Sequence, residues 1–176
     1  MRLGLKQNEV RLEPYTAEWK REFLRVKEEL LKATDLQANQ IEHIGSTAIE
    51  EMPAKPILDI VVGIDQLNPI EPSLLKGFKE VGFLQLKVQR PEEIVFAKFV
   101  DDTYQEKTHF IHLVVHEGEL WKNLIFFRDY LNADEAERKH YLELKKSSLK
   151  QSSTDVNQYT DLKESFVKEI FAKRNE

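Results

Sequence analysis

The chain has 176 residues, a size that suits one domain, and it contains no cysteine, which excludes disulfides, thiolate metal sites and thiol nucleophiles. Its 26 basic and 31 acidic side chains give a formal net charge of -5, so we expect no duplex nucleic-acid partner. We expect neither a signal peptide at the polar N-terminus nor a bilayer-spanning segment, because no apolar run approaches roughly 20 residues. These features predict a cytoplasmic protein without a membrane partner.

The first predicted element is an amphipathic helix that follows Thr16, a residue type that caps helices. Four apolar residues recur at helical spacing in it: Trp19, Phe23, Val26 and Leu30. A short strand follows at 41–44 and ends in a Gly-Ser turn. The β-branched run 57–64 then predicts a buried central strand, and 69–81 predicts a second helix.

The rest of the chain divides into strands and then helices. Segments 83–88, 94–100 and 107–115 are strand-like and are expected to form consecutive hairpins. From residue 119 onward the pattern predicts three helices, the last of which begins near Thr154 and carries a stripe of apolar residues. The stripe comprises Tyr159, Leu162, Phe166 and Ile170. We predict an α+β fold in one domain, residues 1–176, with a helical half packed on a sheet.

Two features of the first half can carry chemistry. A strand that runs into Gly45-Ser46 can present backbone N–H groups and a hydroxyl to phosphate oxygens, although the same pair also suits a tight turn with a capping serine. Asp59 interrupts the buried strand, where a carboxylate is costly unless it is paired or liganded. It is either a magnesium ligand beside the phosphate or half of an ion pair with a cation such as Lys55 or Arg128.

Residues 43–48, His-Ile-Gly-Ser-Thr-Ala, and residues 54–60, Ala-Lys-Pro-Ile-Leu-Asp-Ile, resemble the signature of the GrpB family. The resemblance extends from Pro14-Tyr15 through residues 127–131 to the C-terminal helices and covers nearly the whole chain. It implies a nucleotidyltransferase-like mixed β-sheet, an activity that is not settled, and relatives that are appended to bacterial dephospho-CoA kinases.

The resemblance also shows where this chain departs from the wider nucleotidyltransferase superfamily. There, two acids separated by one apolar residue follow Gly-Ser and share metal ions, whereas here Val61 stands two residues after Asp59, on the same face of the strand. One aspartate cannot hold two ions roughly 3.5–4 Å apart, but one magnesium ion carried by nucleotide phosphates is compatible with it. The family's Pro-Gly pair is replaced by Glu50-Glu51, whose charges would weaken anion binding unless they point away.

The histidines of the last predicted strand do not suit a shared metal site. His109 and His112 are three residues apart, so they point to opposite faces, and Phe110 stands where the family carries a histidine. His112 could face Asp59 from a neighbouring strand, although a hydrogen-bonded structural role is the alternative for it and for His43.

Several charged residues of the C-terminal helices have structural interpretations. We expect Lys145 and Lys163 to face solvent, and we expect Arg128 and Asp129 to form an ion pair that positions their helix against the sheet.

These observations lead to two hypotheses, with a purely structural or interaction protein as a third possibility. In the first, the protein is a nucleotidyltransferase-like enzyme that acts on a nucleoside triphosphate: Gly45, Ser46 and Lys55 hold phosphate, Asp59 binds magnesium, and His112 assists as ligand or proton acceptor. In the second, it is a non-catalytic nucleotide- or coenzyme-A-related binding module that lost the second metal-binding carboxylate. A small phosphorylated ligand is the expected partner in both.

Overall fold

A computed structural model describes the backbone of residues 1–151 and 156–176. Its elements, in chain order, are β1 (Leu5–Lys6), α1 (Glu18–Ala33), β2 (Ile41–Ile44), β3 (Leu58–Ile64), α2 (Pro72–Val81), β4 (Leu84–Arg90), β5 (Glu93–Phe99), β6 (Glu106–Val115), α3 (Glu119–Ala133), α4 (Glu135–Gln151) and α5 (Val156–Lys173). The predicted α+β fold is confirmed. The predicted helix start at Thr154 lies outside the described residues.

The six strands form one mixed sheet in the order β2-β3-β6-β5-β4, with β1 paired to the beginning of β6. β3 runs parallel to β6, while the β2–β3, β4–β5 and β5–β6 pairs are antiparallel. The hairpins predicted for the last three strands are therefore confirmed. The β-branched run forms β3, which lies between two other strands, as its unbroken apolar character predicted.

Helix α2 begins one turn later than predicted, at Pro72 rather than at residue 69. Glu71 has an extended backbone, as expected of a residue that precedes proline. Pro72 itself takes the first helical position, where its missing N–H group costs nothing. Gly82 ends the helix in a left-handed conformation.

Alternate residues of β3 divide the molecule into two layers. Leu58, Ile60 and Val62 face the core that α1 and α2 cover, and all three are fully buried. The predicted stripe of α1 packs there too, and Glu18 N–H donates to the Thr16 hydroxyl at 3.2 Å. Asp59 therefore points to the opposite face of the sheet.

The opposite face meets the C-terminal helices. Val61 packs there with Trp121 of α3, and Phe127, Tyr141 and Phe166 join α3, α4 and α5 in a second cluster. The side chains of the predicted stripe residues Tyr159 and Leu162 lie outside the described residues. None of the helices in the described part of the chain has the length and apolar character that a bilayer crossing requires.

Candidate functional site

The Gly45-Ser46 turn passes directly over Asp59. β2 ends at Ile44, which is the register partner of Asp59 on β3. Gly45 has φ +75°, and a Cβ atom there would lie 2.6 Å from Asp59 Oδ2. Both the backbone conformation and the space therefore require glycine. Ser46 then opens a short 3-10 turn, Ser46–Ala48, with its side chain buried.

Asp59 is one end of a chain of three ionisable side chains. His112 Nε2 lies 3.0 Å from Asp59 Oδ1, and His112 Nδ1 lies 3.2 Å from Glu93 Oε2. His112 thus faces Asp59 from the neighbouring strand, as the sequence suggested. Glu93 was missed, because it precedes the apolar alternation of β5 and resembles a loop residue. Glu93 lies two residues before Val95 and so shares its face of the strand, and Val95 is the register partner of His112. That spacing could have identified Glu93 from the sequence.

The charges of Asp59, His112 and Glu93 stabilise one another. Burial disfavours the imidazolium form, but the hydrogen bonds and charges of Asp59 and Glu93 outweigh it and raise the pKa of His112 to about 9. Burial likewise disfavours the Asp59 carboxylate, and its hydrogen bond to His112 nevertheless holds its pKa below the ordinary value. At neutral pH the histidine is a cation that donates to both carboxylates. The first hypothesis gave His112 the role of ligand or proton acceptor, and in this charge state both of its ring nitrogens carry a proton.

Lysines from separate parts of the chain line the cleft beside Ser46 and Asp59. Lys55 comes from the loop before β3, Lys145 from α4 and Lys163 from α5. The cleft has a volume of about 260 Å³. His112 contacts Asp59 but does not line the cleft, so the predicted site residues converge only in part.

Lys145 is buried, which contradicts its prediction as a solvent-facing residue. Only 3% of it is exposed, and its Nζ donates to Ser46 Oγ at 2.8 Å and to the Pro53 carbonyl at 3.2 Å. The same ammonium lies 4.3 Å from the ring centroid of Tyr141, whose hydroxyl is 3.2 Å from Ser46 Oγ. Lys163 also lines the cleft and is half-buried, so it is only partly exposed to solvent. Docking of α4 and α5 against the turn creates this environment.

The surroundings of Lys55 and Lys145 destabilise the protonated, cationic form of each amine. Burial first, and then the charge of Lys163, lowers the pKa of Lys55 to about 8. Burial and the charges of Lys163 and Lys55 also place the pKa of Lys145 well below its ordinary value. An anionic ligand would oppose these shifts, because a negative charge beside the amines favours their protonated forms.

Other predicted residues have structural roles. His43 stacks on Phe23 and its Nε2 lies 2.9 Å from Thr47 Oγ1, and burial lowers its pKa to about 4. His109 lies on the other face of the sheet from His112, and its Nε2 is 3.0 Å from Glu22 Oε1 of α1. The opposite orientations of His109 and His112 are thereby confirmed.

The acidic pair after the signature lies away from the cleft. Glu50 and Glu51 are exposed and are not among the residues that line it. Glu50 N–H donates to Asn132 Oδ1 of α3 at 2.9 Å. Glu51 adopts φ +63°, the conformation that glycine of a Pro-Gly pair takes without strain. Their charges therefore do not oppose an anion in the cleft at close range.

Arg128 joins α3 to the sheet, as its structural interpretation predicted. One guanidinium nitrogen donates to Glu42 Oε2 at 2.9 Å and to the His43 carbonyl at 3.1 Å, while Nε donates to Asp129 at 2.9 Å. The alternative in which Arg128 pairs with Asp59 is wrong, because His112 takes that place.

The donor set does not fit a two-metal site. Val61, in the place of the second acid, is fully buried beneath Trp121. Asp59 Oδ1 and Glu93 are engaged by His112. Among the side chains that the structure describes, no group of three or more histidine, aspartate or glutamate residues is placed to hold a metal ion. Two ions about 4 Å apart need several oxygen ligands, which these residues do not supply.

Comparison with known sequences identifies the family. A family model described as GrpB protein matches residues 9–173. The glutamate-rich protein GrpB of Alkalihalophilus pseudofirmus is 40% identical over 169 residues, which are 96% of this chain and 97% of that protein. The chain belongs to the GrpB family. A dephospho-CoA kinase of Mycolicibacterium paratuberculosis is 25% identical and aligns with 92% of this GrpB chain, which spans 45% of the kinase.

Solved structures agree with the fold of this GrpB protein. The conserved protein GrpB from Enterococcus faecalis superposes with a TM-score of 0.76 at 23% identity, covering 94% of this chain and 100% of that one. Cid1 poly(U) polymerase in its MgGTP-bound form has a TM-score of 0.52 at 14% identity, covering 78% of this chain and 44% of that one. The GrpB fold is therefore nucleotidyltransferase-like, as the resemblance implied.

Proposed function

We propose that this GrpB protein binds the phosphate groups of a nucleoside triphosphate in the cleft beside Ser46. The observation that supports it is the convergence of Ser46 with Lys55, Lys145 and Lys163, in a chain whose net charge is -5. Lysine binds phosphate as a point charge, and a partly buried site strengthens that attraction because less water screens it. A cytoplasmic location, where nucleoside triphosphates are available, is part of the proposal.

Asp59 has a limited role in this proposal. Because the donor set does not suit two ions, binding should not depend on a resident metal. Asp59 is 26% exposed and lines the cleft, so it is the carboxylate that would contact a magnesium ion carried in by a nucleotide. Such an ion would supply charge neutralisation between this carboxylate and the phosphates.

Calorimetric titration with a panel of nucleoside triphosphates, coenzyme A and dephospho-coenzyme A tests the binding. We expect at least one triphosphate to bind, and we expect Lys145→Met to weaken it by roughly 10-fold or more, as loss of a buried charge contact implies. Lys139→Met is the matched control, since Lys139 lies on the same helix, α4, but is 72% exposed and away from the cleft. Absence of heat with every ligand, together with an unmoved melting temperature, would refute the proposal.

The second candidate function is nucleotidyl transfer, and the retained, accessible carboxylate of Asp59 favours it. The test is release of pyrophosphate from each triphosphate with magnesium present, in the native protein and in Asp59→Asn. Release that Asp59→Asn abolishes while triphosphate still binds would establish cleavage between the α- and β-phosphates. Attachment of the nucleoside monophosphate group to an acceptor other than water would then establish transfer. Binding without release of pyrophosphate from any triphosphate would favour the second hypothesis, a non-catalytic binding module.

A further inference from the structure

We infer that the cleft recognises a chain of phosphates rather than a whole nucleotide, so that inorganic tripolyphosphate is a ligand in its own right. The inference rests on the proposed phosphate binding and names the part of the ligand that the protein holds. Charge, arrangement and size of the cleft each point to it.

Lysines outnumber carboxylates among the described residues that line the cleft. Five lysines line it: Lys6, Lys55, Lys107, Lys145 and Lys163. Two carboxylates, those of Glu9 and Asp59, accompany them among the lining residues that the structure describes. A single phosphate monoester carries about 1.5–2 negative charges near pH 7, so the lysines match several linked phosphates better than one.

The lysines are distributed from the floor of the cleft to its rim. Lys145 lies at the floor, held beside Ser46 and the Pro53 carbonyl. Lys6 and Lys107 come from the paired strands β1 and β6, where Lys6 is exposed and Lys107 is half-buried. A phosphate against Ser46 and Lys145 leaves the rim lysines to further phosphates. A linear polyphosphate satisfies both ends at once.

The cleft offers little to a nucleoside. Its volume of about 260 Å³ is below the roughly 300 Å³ at which pockets for drug-sized ligands begin. Among the lining side chains within the described residues, Phe110 is the one aromatic ring, and Lys107 Nζ lies 5.6 Å from its centroid. Proteins that grip bases usually stack them on open aromatic faces. The base and ribose are therefore expected to extend into solvent.

Titration calorimetry at fixed ionic strength, without magnesium, tests the inference with tripolyphosphate, ATP, orthophosphate and adenosine. We expect the dissociation constants of tripolyphosphate and ATP to agree within about threefold, which is under 1 kcal/mol, and adenosine not to bind. Orthophosphate should bind more than roughly 10-fold more weakly than tripolyphosphate, because it cannot reach floor and rim together.

A double variant tests whether the rim lysines contact the ligand or only contribute to the overall charge of the protein. The double variant Lys6→Gln with Lys107→Gln should weaken the binding of tripolyphosphate by about 10-fold and that of orthophosphate by less than about threefold. Lys122→Gln with Lys139→Gln removes the same charge from exposed positions outside the cleft and should change neither affinity appreciably.

The outcomes distinguish this inference from the proposal beneath it. If ATP binds but tripolyphosphate binds more than about 30-fold more weakly, the nucleoside is recognised, and the inference fails while phosphate binding stands. Equal losses in the two double variants would also overturn the inference, because charge alone would then explain binding. If neither tripolyphosphate nor any of the nucleoside triphosphates binds, the proposed function itself is wrong.

Discussion

Individual residues in the cleft hold their charge at a cost that a ligand can relieve. Lys145 and Lys55 both have a lowered pKa, because each is desolvated and each lies near other lysines. Their ammonium groups are therefore easier to neutralise than an exposed lysine. A bound phosphate compensates that charge and favours the protonated form, so binding and protonation are coupled.

This coupling predicts that phosphate affinity falls as the pH rises above 8. Lys55 has a pKa of about 8 in the unbound protein, and an anion stabilises its charged form. Affinity should fall by up to about 10-fold per pH unit above that pKa, as one lost charge implies. Calorimetry with tripolyphosphate from pH 6.5 to 9.5 measures it. Lys55→Arg, which keeps its charge throughout, should show a smaller decline.

Glu51 carries a local backbone cost that no contact in the cleft requires. Its φ of +63° is unfavourable for a residue with a Cβ atom, and its side chain is 83% exposed. Glu51→Gly should raise the free energy of unfolding by about 0.5–1 kcal/mol, after the greater chain entropy of glycine is subtracted. Chemical denaturation measures the change. Glu51→Ala removes the charge but keeps Cβ, and an equal gain in that variant would contradict the backbone explanation.

At the scale of elements, the Arg128 guanidinium helps to hold α3 against the sheet. Arg128 connects α3 to the Glu42 carboxylate and to the His43 carbonyl at the end of β2, one residue before Ile44 and the Gly45 turn. Asn132, one turn further along α3, donates to the Ala48 carbonyl at 3.1 Å. These contacts attach the helix to the segment that positions Ser46.

Arg128→Met should therefore lower the free energy of unfolding by about 1–3 kcal/mol, because it leaves a carboxylate and a carbonyl without their charged donor. Arg25→Met is the control, since Arg25 is 50% exposed and pairs only with Glu22 and Glu29 on its own helix in the part of the chain described. Its loss should cost under about 1 kcal/mol. Equal costs for the two variants, measured by urea denaturation, would show that Arg128 does not anchor α3.

Across the whole molecule, the pH dependence of stability reflects histidines that have different charge states in the folded protein. Burial holds His43 and His109 neutral, with a pKa of about 4 for each, whereas carboxylates hold His112 protonated, with a pKa of about 9. Below pH 6.5 the unfolded state binds more protons at the first two, so stability falls with acid. Above pH 6.5 the contribution of His112 is lost as the pH rises towards 9.

We expect maximal stability near pH 6.5–7, with a steep acid side. By pH 5 each of these two buried histidines should lower the free energy of unfolding by about 1–2 kcal/mol. The reason is that the histidine binds a proton in the unfolded chain at this pH but stays neutral in the folded one. Melting temperatures from pH 4.5 to 9 measure the profile. His43→Gln keeps a polar group for Thr47 without titrating, and it should flatten the slope between pH 4.5 and 6.5. An unchanged acid slope would exclude His43 as a cause.

The helices, the strands and the turn over Asp59 follow from patterns within a few residues of one another. Apolar spacing identified α1, an unbroken β-branched run identified β3, and a glycine beside a serine at a strand end marked the turn. Such features are readable because backbone geometry repeats every 3.6 residues in a helix and every two in a strand. Helix α2 was misplaced only at its start, where extended backbone before Pro72 replaced the expected turn.

The character of the cleft depends on residues far apart in the chain. Lys145 is separated from Ser46 by 99 positions, and on α4 alone it is indistinguishable from a surface lysine. Glu93 meets His112 only because β5 and β6 pair in a particular register. Burial and charge are properties of what packs around a side chain, and helix docking and strand register determine them. Local spacing along the chain carries no information about either.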